Sequence, residues 1–161
     1  MKKFLIDSMH GKIAVYLRIL GYDTIYSRAL SDEDILLKAS SENRVLVTGD
    51  KGLFRKALKK GLKAIYVHPE TPIDKALGLI AFLTEINLTP DFNNTRCPIC
   101  NGILRVSSTP SMNYRINREN KIFFICTKCG NTYWIGSHWI KIRRVLEDAE
   151  YWLKTLSSQR N

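Results

Sequence analysis

Apolar residues in the first 95 positions follow two alternating rhythms. Phe4-Leu5-Ile6, Val45-Leu46-Val47-Thr48 and Ala64-Ile65-Tyr66-Val67 are short β-rich runs bounded by polar residues, and Thr24-Ile25-Tyr26 is a weaker one. Between them the spacing turns helical. Ile13, Leu17 and Leu20 share one face, Ile35, Leu36 and Ala39 a second, and Leu53, Ala57 and Leu58 a third. Ile73, Leu77, Ile80 and Leu83 form a fourth, opening after Pro72, a residue suited to a first helical position. Strands alternating with helices predict an α/β unit with a parallel sheet flanked by helices. The periodicity ends in the turn-forming stretch from Leu88 to Thr95, where the boundary of this unit, residues 1–95, is expected.

Residues 96–161 follow a different pattern. Ile103 to Val106, Ile122 to Ile125 and Thr132 to Ile135 predict short strands joined by turns, too few to bury a large core of their own. A last helix is expected from about Lys141, with Ile142, Val145, Leu146, Ala149, Trp152 and Leu153 along one stripe. Such a stripe requires an apolar partner: the first unit, a second copy in a homodimer, or another protein.

The cysteines supply what the small unit lacks. All four stand in two C-x2-C pairs, Cys97-Pro-Ile-Cys100 and Cys126-Thr-Lys-Cys129. Two intervening residues let a tight turn offer both thiolates to one ion, and Asn101-Gly102 and Gly130 give those turns backbone freedom. The pairs predict one structural Zn²⁺ with no open coordination position, so the zinc shapes the fold and the chemistry lies elsewhere. Disulfides are the alternative. Met-Lys-Lys followed by three apolar residues is no secretory signal, however, and a reducing, cytoplasmic location is expected.

Charge is unevenly spread. The net charge is +10, and residues 96–161 hold 11 basic against 4 acidic side chains, which is +7 of it. That segment suits a polyanion, most simply nucleic acid, although a basic surface also occurs without a specific partner. No apolar run approaches the length of a membrane span.

Three aspartates occupy positions where an open parallel sheet builds sites. Asp7 follows the first strand and Asp50 follows Val45 to Thr48, both at carboxyl ends. Asp32 lies in Ser31-Asp32-Glu33-Asp34, ahead of the helix marked by Ile35. If the sheet order brings them together, a cation must offset their repulsion, and all-oxygen ligands select Mg²⁺ or Mn²⁺. Helix capping is the alternative for Asp32 and Asp50. Asp7 has no comparable structural reason to end a buried strand. Lys12 and Arg18 follow within reach of phosphates, with a solvated face as the alternative for Arg18, and His10 is a weak candidate for a base. Glu70 and Asp74 are candidates for an outer shell, Asp74 equally for a helix start.

The segment Asp7-Ser-Met-His-Gly-Lys-Ile-Ala-Val-Tyr-Leu-Arg-Ile-Leu-Gly-Tyr-Asp-Thr24 resembles the opening motif of the mut-seven C-terminal RNase domain family, a PIN-like fold. Asp32-x-x-Ile35-x-x-x-Ala39, Glu42-x-Arg44 and Thr48-x-Asp50 continue the match. Arg96-Cys-Pro-Ile-Cys-Asn-Gly102 and Cys126-x-x-Cys129-Gly130-x-x-Tyr133-Trp134-x-Gly136-Ser137-His138 are similar to its appended zinc ribbon. The resemblance implies a metal-dependent ribonuclease with Asp7, Asp32 and Asp50 as its acidic site. Gly49 departs from the family's usual Arg. A further acidic residue typical of PIN nucleases is also missing, since Asp23 is the only acid between the first strand and Asp32 and suits a turn.

An endoribonuclease acting through Mg²⁺ or Mn²⁺ is therefore expected, with the ribbon docking RNA. Arg105, Arg115, Arg118, Lys121, Lys128, Lys141, Arg143 and Arg144 are candidate phosphate contacts. Phe123, Phe124, Tyr133, Trp134 and Trp139 are candidate stacking rings, most of them expected in the ribbon's own core and only Trp139, with His138, expected outside it. The alternative is an RNA-binding or protein-docking adaptor on the same scaffold whose metal site is too poor for turnover.

Overall fold

The computed structural model describes residues 1–109 and 122–160. Arg115, Arg118 and Lys121 lie outside the described residues.

Four strands, β1 (Lys3–Ile6), β2 (Asp23–Tyr26), β3 (Val45–Thr48) and β4 (Ala64–Tyr66), form one parallel sheet in the order β2-β1-β3-β4. The weak second strand is real, and it lies at an edge. The pleat sends alternate residues to opposite faces. Phe4, Ile6, Val45 and Val47 pack on one side with α1 (Gly11–Ile19) and α4 (Ile73–Thr84). Leu5 and Leu46 pack on the other with α2 (Asp32–Ser41) and α3 (Lys51–Lys59). Both central strands are covered on two faces, which is why they read as nearly unbroken apolar runs.

The chain winds outward from β1 to β2, then returns past β1 to β3. The direction of winding thus reverses between β1 and β3, and the loops after these neighbouring strands diverge to leave a crevice at their carboxyl ends. Asp7 and Asp50 stand at those two ends. Leu58 and Leu83, expected on the buried helix faces, are 51% and 54% exposed.

In the second segment β5 (Leu104–Ser107), β6 (Phe123–Cys126) and β7 (Thr132–Trp134) form an antiparallel sheet in that order. Its small core is Leu104, Phe124, Cys97 and Cys126. The last helix, α5 (Ser137–Ser158), begins four residues earlier than its apolar stripe suggested. Extended Gly136 precedes it and no side chain caps it, so the sequence carries no N-terminal capping signal.

The partner of the α5 stripe is α4. Leu146 and Ala149 are buried in the core of the first unit, with Ile142, Val145 and Leu153 packed around them. Gly78 makes this crossing close, since a Cβ there would lie 2.8 Å from Trp152 Cβ and 2.9 Å from the Ala149 carbonyl oxygen. The Trp152 indole donates to Asp74 Oδ2 at 3.0 Å, so Asp74 serves the helix contact. Among the described residues no helix is long and apolar enough to cross a membrane.

Candidate functional site

At the crevice, Asp7 is only 8% exposed and both its carboxylate oxygens are engaged. Oδ1 accepts from the Ser8 amide at 2.5 Å and the Ser8 hydroxyl at 3.1 Å, and Oδ2 accepts from the Thr48 hydroxyl at 2.7 Å. Three of about four lone-pair directions are thus filled, leaving about one. The Thr48 oxygen in turn accepts the Asp50 amide at 3.0 Å. Asp50 Oδ1 caps α3, accepting from Gly52 N at 2.5 Å and Leu53 N at 2.9 Å. One buried threonine therefore joins the two strand-end aspartates.

Asp32 is held differently. Ser31, not Asp32, caps α2, accepting from the Asp34 amide at 3.2 Å. Asp32 Oδ2 instead meets Lys56 Nζ at 2.8 Å. Hydrogen bonding to Asp32 raises the Lys56 pKa, with further charge attraction from Asp32, Glu33 and Asp50, so this ammonium lies in the field of those three carboxylates. Among the described residues only the four cysteines bring three or more ligating atoms within 4.8 Å of one another. The carboxylate oxygens of Asp7, Asp32 and Asp50 do not all lie within that distance of one another; they are hard donors of the kind Mg²⁺ or Mn²⁺ takes, with Asp32 Oδ2 on Lys56.

Other expected residues are placed as follows. Lys12, Lys128, Lys141, Arg143 and Arg144 are exposed, and Arg143 pairs with Glu147 at 3.3 Å. His10 is buried and its Nε2 donates to the Val67 carbonyl at 2.9 Å, which removes that nitrogen as a base. Gly49 lies against it: a Cβ at 49 would be 3.0 Å from His10 Nε2 and 3.2 Å from Pro69 Cγ. Arg18 is a correction. It is 7% exposed, with Nε donating to Thr24 O at 2.9 Å and Nη1 to Pro98 O at 2.8 Å and Ile99 O at 3.1 Å, so it is not available to phosphate. Its spacing on an amphipathic helix did not separate the two roles.

The four cysteines form the centre their spacing predicted. None is paired in a disulfide. Cys97 Sγ lies 3.7 Å from Cys129 Sγ, and Cys100 Sγ lies 3.4 Å from Cys126 Sγ. A tetrahedron with Zn–S of about 2.3 Å has edges of about 3.8 Å, so the set fits Zn²⁺. The two turns are built alike: Asn101 N donates to Cys97 O at 2.9 Å and Gly130 N to Cys126 O at 3.0 Å. Asn101 and Gly130 take left-handed φ of 66° and 73°. Gly102 is needed for a different reason, since a Cβ there would lie 2.8 Å from Cys126 Sγ. Burial pushes the Cys100 thiol up to about 12, whereas the Asn131 amide brings Cys129 down to about 6. Bound zinc would hold all four as thiolates. The Tyr133 hydroxyl donates to Cys97 Sγ at 3.1 Å, and burial and that thiolate raise its pKa.

The zinc turn is bolted to the sheet. Burial lowers the Arg18 pKa while Cys97, Cys100 and Asp23 counter it, so the guanidinium faces the thiolates as a balancing charge. Asn101 Oδ1 accepts the Thr24 amide at 3.0 Å, filling a donor on edge strand β2, and its Nδ2 donates to Asp23 Oδ1 at 2.8 Å. Asp23 also takes a two-pronged contact from Arg44, Nη1 to Oδ1 at 3.0 Å and Nη2 to Oδ2 at 3.1 Å. Burial works to raise the Asp23 pKa, and the bonds from Arg44 and Asn101 more than reverse this, leaving it below the ordinary value. This network explains Asp23 without the acidic site. Glu42-x-Arg44 was visible as a motif, but nothing local identified Asp23 as the partner.

Comparison with curated proteins and with solved structures finds no match. Comparison with protein families finds the Mut7-C RNAse domain over residues 2–146, a span that takes in the sheet, the aspartates, the four cysteines and the start of α5. The chain belongs to the Mut7-C RNAse domain family.

Proposed function

We propose that the protein is a metal-dependent endoribonuclease, with Asp7, Asp32 and Asp50 holding Mg²⁺ or Mn²⁺ and the basic ribbon docking RNA. The observation that carries this is the Thr48 hydroxyl joining Asp7 to the Asp50 amide at the β1/β3 crevice, in a chain of an RNase family. Such a metal supplies an activated water and offsets charge on the departing oxygen. The residues do the rest. Thr48 fixes the Asp7 carboxylate and the α3 amides fix Asp50; Asp32 would hold the cation by exchanging Lys56 for it, which would leave the Lys56 ammonium for a substrate phosphate. Lys12, Lys128, Lys141, Arg143 and Arg144, with Arg115 and Arg118, neutralise phosphates along the substrate.

The Lys56–Asp32 pair favours a second reading, an RNA-binding adaptor in which Lys56 takes the place of the metal. Labelled structured RNA and its single-stranded DNA counterpart, incubated with Mn²⁺ or EDTA, separate the two. A nuclease shows Mn²⁺-dependent RNA cleavage that Asp7→Asn abolishes while binding is retained. Salt-sensitive binding without cleavage across several RNAs identifies the adaptor.

A further inference from the structure

A cavity of about 430 Å³ lies where the linker, the zinc turn, the ribbon and the start of α5 meet. Phe92, Phe124, Tyr133, Trp134 and Trp139 supply most of its ring surface. Phe92 is its centre: its ring lies 5.7 Å from that of Phe124 at 29°, stacked, and 5.1 Å from that of Trp139 at 55°. Phe92 remains 36% exposed, so this cluster is not closed from solvent. The volume lies within the range of about 300–1,000 Å³ that accepts small organic groups.

Charge decides what kind of group. Among the described residues no acidic side chain lines the cavity, and the first turn of α5 contains none. Exposed His138 is on the rim, and exposed Lys141 and Arg144 follow on the same helix. A planar ring surface on a segment with 11 basic against 4 acidic side chains matches a base attached to phosphate: the rings stack on the base, and cations outside the cavity such as Lys141 meet the backbone. A purely apolar protein segment would use the rings and leave the cations without a role.

We propose that this cavity is a stacking subsite for one unpaired nucleobase of RNA, with Phe92 and Trp139 as its platform. The proposal rests on the nucleic-acid part of the function proposed above, but not on cleavage. The test therefore uses zinc-loaded, full-length protein without added Mg²⁺ or Mn²⁺, and a twelve-residue oligouridylate carrying one 4-thiouridine. Illumination is expected to crosslink the probe to peptides containing Phe92 or Trp139. Phe92→Leu and Trp139→Leu are each expected to weaken binding about tenfold while leaving the salt slope unchanged, because stacking releases no counterions. Lys141→Ala with Arg144→Ala should lower that slope. Phe92→Leu keeps apolar cover over Phe124, and equal melting temperatures establish that it folds. Binding at full affinity in both ring variants, or crosslinks confined to other peptides, overturns the subsite and leaves an apolar protein segment as the occupant. The nuclease proposal survives that result. Absence of any RNA binding overturns both the subsite and the RNA-binding part of the proposed function.

Discussion

The Thr48 hydroxyl donates to Asp7 Oδ2 at 2.7 Å, and this single bond ties the carboxylate ending β1 to the end of β3. Thr48 is fully buried, so its hydroxyl has no water as a substitute partner.

Thr48→Val is nearly the same shape and removes only the hydroxyl. It leaves Asp7 and the Asp50 amide each short of a partner, at a cost of about 1–3 kcal/mol. Thermal melts should show this loss and cleavage assays a fall in activity, with Thr48→Ser restoring both. Activity unchanged in the valine variant would remove Thr48 from the site.

Lys56→Ala releases Asp32 from its only described partner. The pair is exposed, so the melting temperature should hardly move. Mn²⁺ should bind more tightly, measured by calorimetry, while cleavage at saturating Mn²⁺ falls if the ammonium meets phosphate. Unaltered Mn²⁺ affinity would mean that Asp32 is not a ligand.

Arg18→Ala strips hydrogen bonds from the Thr24, Pro98 and Ile99 carbonyls and takes a positive charge from beside the thiolates. We expect a loss of about 2–4 kcal/mol, together with faster zinc release to a chelator. Zinc released at the wild-type rate would show that the guanidinium does not balance the thiolate charge.

Acid should loosen the same junction. The folded pKa of Asp23 lies below its unfolded value of about 3.9, so its contribution is complete above about pH 4 and disappears as pH falls through the folded value. Zinc loss occurs in both chains, so the comparison is with Asp23→Asn: its urea midpoint should fall less steeply than that of the wild type between about pH 5 and 2.5. Parallel curves would dismiss the Arg44–Asp23 contact as a source of stability.

Gly78→Ala gains about 1 kcal/mol of helix propensity yet places a methyl 2.8 Å from Trp152 Cβ. Overpacking of this kind costs about 1–3 kcal/mol, so a lower melting temperature is expected, and a still lower one for Gly78→Val. A stabilised alanine variant would show that α5 shifts freely on α4.

The parts legible in the sequence were those encoded by local spacing. Period-two and helical rhythms located the strands and helices of the sheet, and the two C-x2-C pairs located the metal centre. The strand-end positions of Asp7 and Asp50 were legible because a strand end fixes where the next residue lies. Contacts between distant segments were not. Nothing near Arg18 indicates that its guanidinium meets carbonyls 80 residues away, and nothing near Lys56 indicates Asp32. Such pairings depend on the sheet order, which the alternation of elements leaves open. The start of α5 was missed because extended Gly136 precedes it in place of a capping side chain.

Since α5 returns to pack on α4, the ribbon is a loop with both feet on one body and not a bead on a tether. Its entry is pinned where Thr95 Oγ1 donates to the Ile19 carbonyl at 3.1 Å, and its exit is the root of α5 itself. Stripping the zinc thus cannot let a separate module drift away. It converts a stapled loop into a slack one whose ends stay put, at a closure cost that grows only slowly with length. A protease cutting within that slack would yield two fragments that still co-migrate, held together by the α4–α5 contact.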